Sequence, residues 1–148
     1  MSSNRIHIVI DTREQRPWSF KEWADVSRGT ISAGDYALKG DKGFAIERKN
    51  LDDYVGTIFT GKARFNAELQ RMIDLGFPAR IVIVEADLSD IIEHRYNHPE
   101  IEPQAIIKRT AELILDGVVI LFAKHPEMGA GFCWRLLKER KSRLEVDK

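Results

Sequence analysis

Two short apolar runs constrain this chain more than any other feature. Ala79 to Ala86 reads ARIVIVEA and Val118 to Ala123 reads VVILFA, hydrophobic at nearly every position and rich in β-branched residues. Runs of this length are too short to cross a membrane and too continuous for a strand with one wet face, so they fit strands covered on both sides. Between them, Pro103 to Asp116 has helical spacing, with proline near its start and Gly117 just past its end, the places those residues favour. Strand, helix, strand implies a parallel pair and hence an α/β domain.

The rest of the chain extends that sheet. Arg5 to Ile10 (RIHIVI) predicts a strand that delivers Asp11 to its end. Thr30 to Leu38 and Phe44 to Arg48 flank KGDKG, whose glycines and aspartate suit a turn, so these two segments are expected to pair antiparallel. Asn50 is placed to cap a helix, with Asp53 three residues on; Leu51, Tyr54, Val55, Ile58 and Phe59 then recur at helical spacing. After a break at Gly61, Phe65, Leu69, Met72 and Ile73 repeat it, giving two helices or one interrupted helix. A last helix is predicted from Pro126 to about Lys141, ending in the basic KERKSR. The expected architecture is a mixed central sheet flanked by helices, one domain over residues 1–148.

Composition narrows the partners. The 23 basic and 23 acidic residues cancel, so any nucleic-acid surface must be a local patch rather than a global positive field. Neither an apolar span nor a signal-peptide pattern is visible, and a cytosolic protein without a membrane partner is expected, nucleoid-associated in a prokaryote. Cys133, the only cysteine, excludes an intramolecular disulfide and a CxxC zinc site and reads as core filler. His94 and His98 have the separation of a helical metal pair, but no Glu follows His94 and Pro99 disfavours helix at His98, so zinc is not expected. Trp18, Trp23 and Trp134 read as core or interface rather than base-stacking residues.

Chemistry concentrates between Asp35 and Lys49. The two proposed hairpin strands carry Asp35 and Glu47, and antiparallel pairing can bring both carboxylates to one cation. Lys49, two residues after Glu47, shares its face by the strand period. Two hard oxygen donors favour Mg2+ or Mn2+, which neutralise charge on a phosphodiester and activate water. Each residue also has an ordinary reading: Asp35 as a turn acid, Glu47 and Lys49 as a charged strand edge, Asp53 as an acid at a helix start.

Asp11-Thr-Arg-Glu14, Gly34-Asp-Tyr36, Glu47-Arg-Lys-Asn-Leu-Asp-Asp53 and Gly61-Lys-Ala-Arg64 stand in an order and spacing that closely resembles the XPF-type (ERCC4-domain) nucleases of the PD-(D/E)XK superfamily, over roughly residues 6 to 125. The resemblance implies a restriction-endonuclease-like fold and a divalent-metal-dependent DNA endonuclease cutting flaps, forks or junctions in repair or recombination. It implies Asp35 and Glu47 as metal ligands with the Arg48 carbonyl, Lys49 as the catalytic lysine, and Asp11 as ligand or outer partner. Arg13, Glu14, Arg48 and Asp53 would complete the polar network, and Lys62 and Arg64 would meet DNA phosphates. Such domains usually pair, and Phe132, Trp134, Leu136 and Leu137 crowd one segment of the last helix, so a homodimer through it is expected. No helix-hairpin-helix or helicase module is visible, and branched-DNA recognition is expected from this domain, a partner or a missing part of the protein. A silent DNA-binding or dimerisation module is the rival reading, although silent relatives lose the site acids that are all present here. An RNA-cutting or defence nuclease on the same scaffold would use identical metal chemistry.

Overall fold

The two apolar runs form neighbouring parallel strands in the computed structural model, which describes residues 5–146. In chain order the strands are β1 (Ile6–Asp11), β2 (Ala24–Gly29), β3 (Tyr36–Leu38), β4 (Ile46–Asn50), β5 (Arg80–Glu85) and β6 (Val118–Phe122). The helices are α1 (Leu51–Ile58), α2 (Lys62–Asp74), α3 (Leu88–Ile92), α4 (Pro103–Leu115) and α5 (Pro126–Val146), and a single 3-10 turn, Lys21–Trp23, precedes β2. The six strands make one mixed sheet in the order β2-β1-β3-β4-β5-β6, with β3 antiparallel to both of its neighbours and the other pairs parallel. None of the described helices is long and apolar enough to cross a membrane.

Strand alternation sorts the side chains into two layers. Ile8, Ile10, Tyr36, Ile46, Ile81 and Ile83 face one layer, sealed by Trp18, Phe20 and the Ala130, Cys133 and Leu137 stripe of α5. Val82, Val84, Val118 and Ile120 face the other, beneath Tyr54, Val55 and Ile58 of α1, Phe65, Leu69 and Met72 of α2, and Ile106 and Leu113 of α4. In this second layer α1 packs on β4 and β5, α2 on β5 and α4 on β6. The helices therefore end beside β4, and the site forms at that step.

Several sequence expectations are sharpened. The first hairpin strand shortens from Thr30–Leu38 to Tyr36–Leu38. The residues before it are drawn out of the sheet by side chains: Asp11 Oδ1 accepts the Ile31 N–H at 2.9 Å and Glu68 Oε1 the Gly34 N–H at 3.1 Å. β2 is a strand that hydrophobic patterning does not announce, because it lies at the sheet edge with Val26 51% exposed. β6 is the opposite edge rather than an interior strand, and Val119 is exposed. The interrupted helix is two helices, and the last one runs five residues past Lys141. α5 is tied to the hairpin turn by Arg140, which donates to both Asp41 carboxylate oxygens at 2.9 and 3.2 Å.

Candidate active site

The site is built around the start of β4. Ile46 turns into the first layer, so Glu47 and Lys49 emerge on the other face, where the Lys49 Nζ lies 2.9 Å from Glu47 Oε2. Glu47 is only 4% exposed. Asp35 sits just before β3 and its Oδ2 accepts the Arg48 N–H at 2.8 Å. Its peptide is fixed as well: the Asp35 N–H donates to the Ile46 carbonyl, and the Asp35 carbonyl accepts the Asp11 N–H, both at 2.9 Å. The preceding Gly34 has φ +93°, and a Cβ there would stand 2.8 Å from the Ala45 Cβ. Only glycine allows that turn to pass so close to β4.

The electrostatics follow from burial. Burial raises the Asp35 carboxyl to about 6 against the Arg48 N–H, and the charge of Glu14 adds to the rise. For Glu47, burial and then the Asp35 charge push the proton affinity well up, Lys49 opposes them, and Glu68 adds a further negative charge. The ammonium of Lys49 resists burial because the charge and hydrogen bond of Glu47, then Asp35 and Glu68, hold its pKa above the ordinary lysine value. Two carboxyls pressed together in a dry site, with one ammonium to balance them, are short of one positive charge. Hard oxygens with that deficit fit a small divalent cation. Among the described residues no group of three or more His, Cys, Asp or Glu side chains is placed to hold a metal ion.

The other sequence candidates divide. Asp11 is buried with both oxygens engaged: Oδ1 accepts from Ile31, and Oδ2 from the Arg13 N–H at 3.2 Å and the Arg13 Nε at 2.7 Å. Burial pushes its carboxyl up, but the Arg13 side chain and the two backbone amides outweigh that and hold it low. This bonding suits support of the loops and leaves Asp11 no oxygen without a partner. Arg13 itself is largely exposed, close enough to feel the charges of Asp35 and Glu68.

Arg48 points the other way from its neighbours, as strand alternation requires. Behind the sheet its Nη1 donates to the Arg16 carbonyl at 2.7 Å, the Tyr36 hydroxyl at 3.1 Å and Glu14 Oε2 at 3.3 Å. Its Nε meets Glu85, and the guanidinium lies 4.6 Å over the Trp18 ring, which stacks on Tyr36. Thus Glu14 and the Arg48 side chain join each other behind the sheet, and from there the Glu14 charge reaches Asp35. Asp53 is exposed; its N–H is capped by Asn50 Oδ1 at 2.8 Å, and its carboxylate sits in the first turn of α1, where the helix dipole favours an acid. Lys62 and Arg64 are both exposed in the first turn of α2 but diverge. Arg64 is one turn before Glu68 and shares its face, whereas Lys62 lines the groove between α2 and α4 with Arg80 and Arg109.

Sequence patterning missed Glu68 and Glu85, whereas Trp18, read as core or interface, is in the core. The one available signal for Glu68 was its position four residues after Arg64 on a helix. Of the remaining candidates, Cys133 is fully buried and burial raises its thiol, Trp134 donates its Nε1 to the Trp23 carbonyl at 3.2 Å, and the His94 ring stacks on Tyr96 at 4.2 Å.

Comparison with known proteins agrees with this architecture. Residues 10–134 match the ERCC4 domain. Among solved structures, XPF from Aeropyrum pernix superposes with a TM-score of 0.69 at 21% identity, over 90% of this chain and 61% of that one. XPF from Aeropyrum pernix in complex with DNA superposes with a TM-score of 0.67 at 24% identity, over 97% of this chain and 66% of that one. The chain thus spans less than two thirds of either. Curated proteins gave no match. With the match to the ERCC4 domain covering most of its length, the chain belongs to the ERCC4-domain family and has the mixed-sheet α/β fold of the XPF nuclease domain.

Proposed function

We propose that this chain is a divalent-metal-dependent DNA endonuclease acting on branched DNA such as flaps, forks or junctions, in repair or recombination. One observation carries the reading: half-buried Asp35 and buried Glu47 form a carboxyl pair short of one positive charge, with the Lys49 ammonium 2.9 Å from Glu47. Asp35 and Glu47, with the Arg48 carbonyl, would hold magnesium or manganese, which when bound neutralises phosphate charge and lowers the pKa of a coordinated water.

The remaining steps belong to the chain's own groups. Lys49 is a charged, half-buried donor that can orient the attacking water or steady the scissile phosphate. Arg13 and Arg64 are exposed beside the site and would meet flanking phosphates. The Asp11 carboxylate keeps the Ile31 loop and Arg13 in place, and the Arg48 network braces the strand that carries Glu47 and Lys49. That the complex in the structural comparison contains DNA supports DNA as the substrate.

The test is a cleavage panel of single-stranded, duplex, flap, fork and junction DNA, with an RNA arm, in magnesium, manganese or chelator. Metal-dependent cutting near the single-strand to double-strand transition is expected. DNA binding without cleavage in either metal would leave a binding module instead. Assembly as a homodimer is part of the same reading. Within the chain Leu137 is buried and Trp134 is packed on Trp23, so the apolar surface offered by the first half of α5 is centred on Phe132 at 49% and Met128 at 56% exposure, one turn apart. Light scattering is expected to show a dimer, and a monomer at high concentration would remove it.

A further inference from the structure

Glu68 belongs to none of the sequence motifs, yet its charge reaches Glu47 and Lys49. It is half-buried on α2, and its Oε1 accepts the Gly34 N–H at 3.1 Å. Arg71, one turn later, donates from Nε to the Ser32 carbonyl at 3.2 Å. Two α2 side chains therefore clamp residues 32–34, the segment that leads into Asp35. The left-handed turn at Gly34 leaves its amide pointing away from the sheet ladder, and a buried N–H without an acceptor carries a penalty. The bonds that fix the Asp35 peptide come from main-chain groups of β1 and β4. These two bonds tie the turn to α2, and Glu68 is the anionic half of that tie. Its charge also reaches Glu47, Lys49 and Arg13.

We propose that Glu68 is a positioning residue for the metal centre: its carboxylate holds the Gly34 amide so that Asp35 faces Glu47, and its charge deepens the negative field of the pair. This rests on the metal-dependent reading given above. The two contributions separate by substitution, because Glu68→Gln keeps an acceptor oxygen and removes the charge, whereas Glu68→Met keeps the bulk and removes both.

The experiment is titration of purified protein with manganese, followed by electron paramagnetic resonance of the free ion and by thermal midpoint. Glu68→Met should weaken manganese binding by roughly 10-fold, the scale of groups that support ligands. Glu68→Gln should lie between it and wild type. Raising manganese should bring the cleavage rate of Glu68→Gln up toward that of wild type, so that its defect is read mainly as a higher metal requirement. If wild type takes up no manganese, the functional reading fails and this inference with it. If wild type binds and both variants bind as tightly, only the role of Glu68 is overturned. Equal weakening in the two variants would keep the charge and overturn the positioning bond. Should Glu68→Met fail to fold, Glu68→Ala takes its place as the variant without an acceptor, and wild-type affinity there overturns the positioning bond, whereas unchanged affinity in Glu68→Gln removes only the charge contribution.

Discussion

Glu47→Gln is expected to reduce metal-dependent cleavage by roughly 10³-fold or more while leaving the metal-free protein at least as stable as wild type. The two effects have one cause. Glu47 is 4% exposed, and burial followed by the Asp35 charge raises its proton affinity, so its ionised form is held in the fold at a cost. A glutamine of the same shape removes that cost and still offers Lys49 an amide oxygen where Glu47 Oε2 lies at 2.9 Å. A group with a raised folded-state pKa destabilises the native protein as pH rises through it, so relief should be largest at neutral pH and above. The same substitution deletes one of two charged metal ligands. Thermal melts in chelator and single-turnover cleavage of a fork measure the two sides. Wild-type cutting would remove Glu47 from the chemistry. A large loss of metal-free stability would show that the Glu47–Lys49 pair is chiefly structural.

How much of this was legible in the sequence depends on how local each cause is. The Asn50 cap, the two helices after it and the Pro103–Gly117 helix were readable because caps, breakers and a 3.6-residue period act over one or two turns. Glu47 and Lys49 on one face followed from strand alternation, and the same rule already implied that Arg48 points behind the sheet. Lys62 and Arg64, two residues apart on a helix, are turned about 200° from each other, so only one could face the site. By contrast, β2 has one buried apolar side chain, Ala24, and takes its conformation from pairing with β1, which no local pattern records. Thr30 to Gly34 reads as strand but is held off the sheet by Asp11 and Glu68, 20 and 34 residues away from their partners. Trp18 is a core tryptophan as its sequence reading has it, and the Arg48 guanidinium above its ring is a long-range contact that no local pattern records. The last of the family motifs enters α2 at Lys62 and Arg64 but stops four residues short of Glu68, the side chain that clamps the turn before Asp35.

Asp35→Asn should abolish the metal-dependent rise in thermal stability, and the size of that rise in wild type should itself depend on pH. Burial lifts the Asp35 carboxyl to about 6 from its ordinary 3.8. The folded protein therefore binds more protons than the unfolded chain between those values, and metal-free stability falls as pH rises from about 4 to about 6. A shift of this size corresponds to about 3 kcal/mol at most. A divalent cation replaces the missing proton, so its stabilising effect should be small near pH 5, where protons compete, and should grow and level off above pH 7. At a hundredfold excess over the dissociation constant, selective binding to the folded state contributes about 2.7 kcal/mol, or roughly 5–10 °C in Tm. Asparagine keeps an oxygen for the Arg48 N–H now accepted at 2.8 Å, so the turn should hold. It carries no charge at any of these pH values, and both the falling stability of the metal-free protein and the magnesium response should flatten together. Glu127→Gln, exposed in the first turn of α5, should change neither. A magnesium response in Asp35→Asn equal to wild type at pH 7 would place the cation elsewhere and end the carboxyl-pair mechanism, whatever the family resemblance suggests. A lost response with an unchanged pH profile in chelator would keep Asp35 as a ligand but show that its ionisation does not govern the stability of the metal-free fold.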